Sequence, residues 1–223
     1  MSWRQHRLIG RWSLVDVHNL GMVVATERKA LRPHQELALG KVLAGFGVSD
    51  RGRLVMACGT GKTLTSLRIA EGLVGTEGSV LFLAPSIALV SQSLKEWTAE
   101  RIVPLRPFAI CSDATAAKSV DGEIGSPYDV AIAPTTDVDA LVRARAGQGS
   151  EDRLTVVFST YQSIGVVQEL QVRTGLVFDL VVCDEAHRTA GITGTDDDSS
   201  FVAVHDNSLL PAAKRLYMTA TPK

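Results

Sequence analysis

With 223 residues, 45% of them hydrophobic and 21% charged, the chain is sized for one α/β domain, or one domain with a short appendage, and can bury a core. Its 23 Lys and Arg stand against 24 Asp and Glu, a net charge of −1, so any contact with nucleic acid must come from a local surface and not from a global basic field. No run approaches the ~20 apolar residues of a membrane span. Met1–Arg11 is basic but lacks the apolar region and cleavage site of a signal peptide, which makes a cytoplasmic location and no membrane partner the expectation.

The first thirty residues form an apolar, irregular lead-in with no assignable element. From there the pattern predicts a helix over Pro33–Phe46, a strand over Arg53–Ala57, a helix over Gly61–Val74 and a strand over Ser79–Ala84. A helix over Ile87–Glu100 and a strand over Pro107–Cys111 follow. The long stretch Ser112–Asp152, rich in Gly, Ser, Asp and Thr, holds a possible short strand at Asp129–Ala133 and a helix over Val138–Ala146. Next come a strand over Leu154–Ser159, a helix over Tyr161–Val172, a strand over Phe178–Cys183 and a strand over Arg215–Thr219. Between the last two, Thr189–Ser200 carries the acidic run Asp196–Asp198, which reads as a solvated loop.

Strand runs rich in Val, Leu and Phe without strict polar alternation suit central parallel strands covered on both faces. Their alternation with helices predicts an α/β fold, a doubly wound parallel sheet in three layers. Ligands of such sheets lie beyond the carboxyl ends of the strands. The three cysteines, Cys58, Cys111 and Cys183, form no CxxC pair and are expected as buried, reduced thiols.

The notable residues fall at those strand ends. Ala57-Cys58-Gly59-Thr60-Gly61-Lys62-Thr63 follows a strand and opens a helix. Glycines 59 and 61 permit a tight turn in which successive amides point inward at an anion, on a helix N-terminus that already favours negative charge. Lys62 is placed to reach the outer phosphates of ATP, and the Thr63 hydroxyl to ligate Mg²⁺. The general phosphate-loop pattern starts with a Gly, where this chain has Met56. A second element, Asp184-Glu185-Ala186-His187, closes an apolar strand. Asp184 is positioned to hold Mg²⁺ through water and Glu185 to orient or deprotonate an attacking water. A third, Thr219-Ala220-Thr221, closes another strand with small hydroxyl residues able to bond His187 or the acidic pair.

Together these elements resemble the first motor domain of superfamily 2 helicases and translocases: Gly59–Thr63 their motif I, Asp184–His187 their motif II in its DEAH form, and Thr219–Thr221 their motif III. The resemblance implies a RecA-like domain over residues 31–223, catalysis by Lys62, Asp184, Glu185 and His187, and coupling through Thr219, Ala220 and Thr221. It implies an ATP site comprising Arg32, Gln35, Cys58, Gly59, Thr60, Gly61, Lys62 and Thr63, with Gln35 of Arg32-Pro-His-Gln35 bonding the adenine edge. Pro85, Ser86 and Gln92 lie in a segment similar to motif Ia, and Thr160, Tyr161 and Gln162 in a later strand-contacting element. By the resemblance both meet nucleic acid.

Met56–Thr63, Phe82–Gln92 and Cys183–Thr189 as whole phrases resemble the motor part of type ISP restriction–modification enzymes. That implies double-stranded DNA as the partner, with RNA and a non-motor nucleotide-binding module as alternatives. Motors of this kind close ATP between two such domains. The resemblance therefore implies a second RecA-like domain as partner, and a chain ending at Lys223 reads as one half, able to bind nucleotide but slow to hydrolyse it.

Overall fold

A computed structural model describes residues 28–111, 136–146, 152–186 and 203–221. In chain order its elements are α1 (Pro33–Gly45), β1 (Arg51–Val55), α2 (Lys62–Val74), β2 (Ser79–Ala84), α3 (Ile87–Glu100), β3 (Leu105–Ile110), α4 (Val138–Ala146), β4 (Leu154–Thr160), α5 (Ile164–Thr174), β5 (Phe178–Cys183) and β6 (Ala212–Thr219). A 3₁₀ turn, Tyr161–Ser163, leads into α5. The six strands form one sheet in the order β1-β6-β5-β2-β4-β3, and every neighbouring pair is parallel. This is the doubly wound parallel sheet the sequence predicts.

Every residue of β2 is buried, because side chains alternate between two covered faces. Val80, Phe82 and Ala84 point into a cluster with Leu67 and Ile69 of α2 and Val90, Leu94 and Trp97 of α3, against which Leu39 and Val42 of α1 also pack. Leu81 and Leu83 point the other way, to Val138 and Leu141 of α4 and Ile164, Val167 and Leu170 of α5. At the centre of the first face, Phe82, Trp97 and Phe158 bring their ring centroids to 5.4, 5.6 and 5.5 Å, with Trp97 edge-on to both phenylalanines. Edge-to-face geometry adds about 0.5–1.5 kcal/mol per pair to simple burial.

Boundaries differ from expectation where local chemistry intervenes. β1 starts two residues early and releases Met56 and Ala57 into the loop that follows, because Gly59 and Gly61 take up left-handed turns there. β3 runs through Pro107, tolerated because β3 is an edge strand and needs no N–H on its outer side. α5 ends at Gly175 with φ 68°, the left-handed terminator that glycine supplies without steric cost. The expected strand at Asp129–Ala133 and the acidic run Asp196–Asp198 lie outside the described residues. Among the described residues no helix is long and apolar enough to cross a membrane.

Candidate functional site

The sheet order sets the carboxyl ends side by side. Reading across the edge, the Ala57–Thr63 loop after β1 is followed by Thr219–Thr221 after β6, Asp184–Glu185 after β5, Pro85–Ser86 after β2 and Thr160–Gln162 after β4. Elements far apart in sequence therefore form one row.

The loop is held open by its glycines. Gly59 and Gly61 have φ of 74° and 86°, and a Cβ on Gly61 would sit 2.3 Å from the Gln35 amide nitrogen. Position 61 thus needs glycine for both conformation and space. The Thr60 hydroxyl closes the turn by donating to the Ala57 carbonyl at 2.7 Å. α2 then starts at Lys62 with Gly61 as its N-cap and no side chain capping its first amides, which leaves that end an anion seat. The indole N–H of Trp97 donates to the Thr63 carbonyl at 3.2 Å, fixing the first turn of α2 to α3.

Gln35, only 3% exposed, is wired into the same loop. Its carbonyl oxygen accepts from the Arg32 amide at 2.7 Å. Its amide nitrogen donates to the Thr60 and Gly61 carbonyls at 3.3 and 3.2 Å. His34 Nε2 lies 3.1 Å from the Thr60 carbonyl. Arg32 itself is exposed. In this conformation Gln35 is turned onto the loop backbone, so an adenine edge would have to share or displace those bonds.

Lys62 and Glu185 meet across the site, Nζ to Oε1 at 3.5 Å, with side chains 11% and 21% exposed. Lys62 also donates to the Met56 carbonyl at 3.4 Å. Asp184 is buried, its amide donating to the Leu83 carbonyl at 2.8 Å, and its Oδ1 accepts the Glu185 amide at 3.0 Å. Glu185 has φ 50°, a left-handed backbone that costs a non-glycine residue about 1 kcal/mol or more. Between loop and acids, the Met56 amide donates to the Thr219 carbonyl at 3.0 Å, and the Thr219 hydroxyl donates to the Thr221 carbonyl at 3.2 Å. Lys62, Thr63, Asp184, Glu185 and the Thr219–Thr221 segment are therefore gathered along one stretch of the edge. His187, and with it the contact expected between His187 and the threonines, lies outside the described residues.

On the other half of the row Ser86, Gln92 and Gln162 are exposed and Pro85 half-buried. The Ser86 hydroxyl caps α3 by accepting from the Leu89 amide at 3.4 Å. Two expectations change here. Tyr161 is fully buried and Thr160 nearly so. The Tyr161 hydroxyl donates to the Asp184 carbonyl at 2.8 Å, and that of Thr160 to the Ser163 hydroxyl at 3.1 Å. As placed, neither side chain presents a face to nucleic acid, because the 3₁₀ turn rolls them inward and leaves Gln162 outside. The cysteines also divide: Cys111 and Cys183 are buried as expected, but Cys58 is exposed on the loop. Burial pushes the Cys183 thiol up to about 12, leaving it inert.

Sequence reasoning missed Trp97 and Arg215, and singled out Tyr161 only as a nucleic-acid contact. Trp97 looks like a core position on an amphipathic segment, and only its polar atom reaches the site. Arg215 carried a signal, a charge inside an apolar strand. It is 1% exposed, donates from Nε to the Val204 carbonyl at 2.7 Å and also bonds Asn207 Oδ1 and the Leu210 carbonyl. It thereby ties the chain between β5 and β6 to the strand that ends on Thr219. Burial holds its pKa below the ordinary value.

Residues 28–223 match the family described as type III restriction enzyme, res subunit. No curated protein matches the chain. Among solved structures, the chain is similar to a nuclease-deletion mutant of the type ISP restriction–modification enzyme LlaGI in complex with a DNA substrate mimic. That match has 37% identity and TM-score 0.75, over 87% of this chain and 18% of that one. It is likewise similar to the ATP-dependent type ISP enzyme LlaBIII bound to DNA, with 36% identity and TM-score 0.78, over 96% of this chain and 14% of that one. The chain thus spans less than a fifth of the length of either relative. The helicase domain of Pyrococcus furiosus Hef shares the fold, at 22% identity and TM-score 0.53 over 86% of this chain and 33% of that one. The family match over residues 28–223, borne on a parallel sheet whose carboxyl edge gathers Gly59–Thr63, Asp184–Glu185 and Thr219–Thr221, leaves one conclusion: the chain belongs to the type III restriction enzyme res subunit family and is a superfamily 2 helicase motor domain.

Proposed function

We propose that the chain is the ATP-binding motor domain of a DNA translocase of the restriction–modification kind, acting in the cytoplasm on double-stranded DNA and completed by a second motor domain. The observation that carries this reading is the 3.5 Å approach of Lys62 to Glu185 beside an uncapped helix N-terminus. A phosphate-binding cation, a water-orienting carboxylate and an anion seat converge there. Both type ISP relatives are described with DNA or a DNA mimic bound.

The amides of Gly59–Thr63 receive the phosphates. Lys62 exchanges the Glu185 carboxylate for the outer phosphates, which releases Glu185 to orient the attacking water. Thr63 and the buried Asp184 are the chemistry of a Mg²⁺ seat, a hydroxyl and a carboxylate at the mouth of the phosphate loop. When bound, the ion neutralises charge on the phosphoryl oxygens. Thr219, which ends the strand between loop and acids, and Thr221 just beyond it relay the nucleotide state toward the DNA half. Motors of this design take their remaining phosphate-contacting arginines from the second domain.

Binding of a fluorescent ATP analogue, with Mg²⁺ and then with EDTA, tests the site. The expected result is saturable binding that weakens sharply on chelation, together with affinity for a double-stranded oligonucleotide that falls as salt rises. A folded chain that ignores nucleotide, or that prefers RNA to DNA at matched salt, overturns the reading.

A further inference from the structure

The row of strand ends has two halves, and one side chain joins them beneath the surface. β4 and β5 are not neighbours, because β2 lies between them. Their axes are therefore about 9.5 Å apart, two strand spacings. Tyr161, the first residue after β4, crosses that gap on the α5 side of the sheet and donates its hydroxyl proton to the Asp184 carbonyl at 2.8 Å. It is fully buried, packed in a cluster with Leu83 and Cys183. Burial, first of all, raises the phenol's pKa well above its ordinary value, so the hydroxyl stays a donor at every physiological pH.

The next residue, Gln162, is exposed on the DNA half of the row. The preceding one, Thr160, is bonded to Ser163 within the same turn. Asp184, at the far end of the strut, is followed by Glu185 in a left-handed conformation, its amide bonded to Asp184 Oδ1 and its carboxylate on Lys62. A displacement of the 160–163 turn therefore reaches the acidic pair through a rigid ring whose hydroxyl is bonded to the Asp184 carbonyl and also to the side chain of Cys183, the residue before it. A left-handed non-glycine residue sits in a narrow conformational well, so the carboxylate is sensitive to small shifts of the residue before it.

We infer that Tyr161 is a positioning residue that couples DNA contact at the β4 turn to the Asp184–Glu185 pair of the ATP site. The coupling rests on the proposed DNA-binding reading, and its test separates the two. The affinity of a fluorescent Mg²⁺–ADP analogue is measured with and without a double-stranded oligonucleotide, for the wild type and for Tyr161→Phe, which keeps the ring and removes the hydroxyl. In the wild type DNA shifts the nucleotide affinity by about fivefold, the low end of usual coupling between sites. In Tyr161→Phe the shift falls to none, while nucleotide affinity without DNA and DNA affinity without nucleotide are both kept, a pattern that a merely structural loss would not give. A full shift in Tyr161→Phe overturns the inference, and so does a wild type that binds both ligands without mutual effect. A wild type that binds no DNA overturns the functional reading as well. Should the variant fold poorly, hydrogen exchange on the wild type alone decides: DNA slows exchange across residues 178–186 if the strut transmits, and unchanged exchange there refutes it.

Discussion

The half of the carboxyl edge proposed to take nucleotide and the half proposed to take DNA are built differently. On the first, Gln35, Thr60, Lys62 and Glu185 are bonded to one another or to loop carbonyls, at 2.7 to 3.5 Å. On the second, Ser86, Gln92 and Gln162 stand exposed on turns, while Thr160 and Tyr161 face inward. A site for a small, highly charged ligand must be assembled in advance, since each misplaced donor forfeits a charge-assisted bond. A surface for a long polyanion needs only hydroxyls, amides and helix ends spread along a row.

Substitutions break or sharpen that contrast. The largest effect is expected beneath both halves, at Phe82, whose loss to alanine empties the aromatic cluster under the loop. It should cost about 3–5 kcal/mol in chemical denaturation and weaken both ligands together. Lys62→Ala acts on the nucleotide half alone, lowering nucleotide affinity about 100-fold by removal of a charged partner, with DNA affinity unchanged in a filter or anisotropy assay. Equal loss of both would merge the halves. Gln35→Ala leaves the Arg32 amide without its acceptor, while the Gly61 carbonyl keeps Thr65 and the Thr60 carbonyl keeps His34, and should reduce nucleotide affinity about tenfold at a stability cost of about 1 kcal/mol. The smallest effect is expected on the loosely built half. Ser86→Ala removes a long capping bond of 3.4 Å and should destabilise by about 0.5 kcal/mol while lowering DNA affinity only slightly. A loss at Ser86 rivalling that at Lys62 would mean that the DNA half is as organised as the other.

The same contrast explains what could be read from the amino acids. Gly59, Gly61, Lys62, Asp184 and Glu185 stand out by their own identity at fixed spacing, and periodicity alone places β2, α3 and β5 at their observed limits. Thr160, Tyr161 and Gln162 could not be sorted from sequence. Whether a residue in a short polar turn faces in or out depends on the single 3₁₀ turn that precedes α5, a matter of one hydrogen bond. The expectation that Gln35 meets adenine does not include an amide committed to the loop backbone, because that depends on how closely α1 approaches Gly61. Cys58 shows the converse error. Apolar neighbours suggested burial, and the glycines beside it lift it into solvent.

The bond from Trp97 to Thr63 has an optical consequence. The chain has three tryptophans, and Trp97 alone lies among the described residues, its indole in an apolar cluster and its N–H on the first turn of α2. Indole emission responds to the strength of that hydrogen bond and to the rings packed around it. With Trp3 and Trp12 replaced by phenylalanine, the protein carries its own unlabelled reporter, whose colour follows the helix proposed to receive the phosphates.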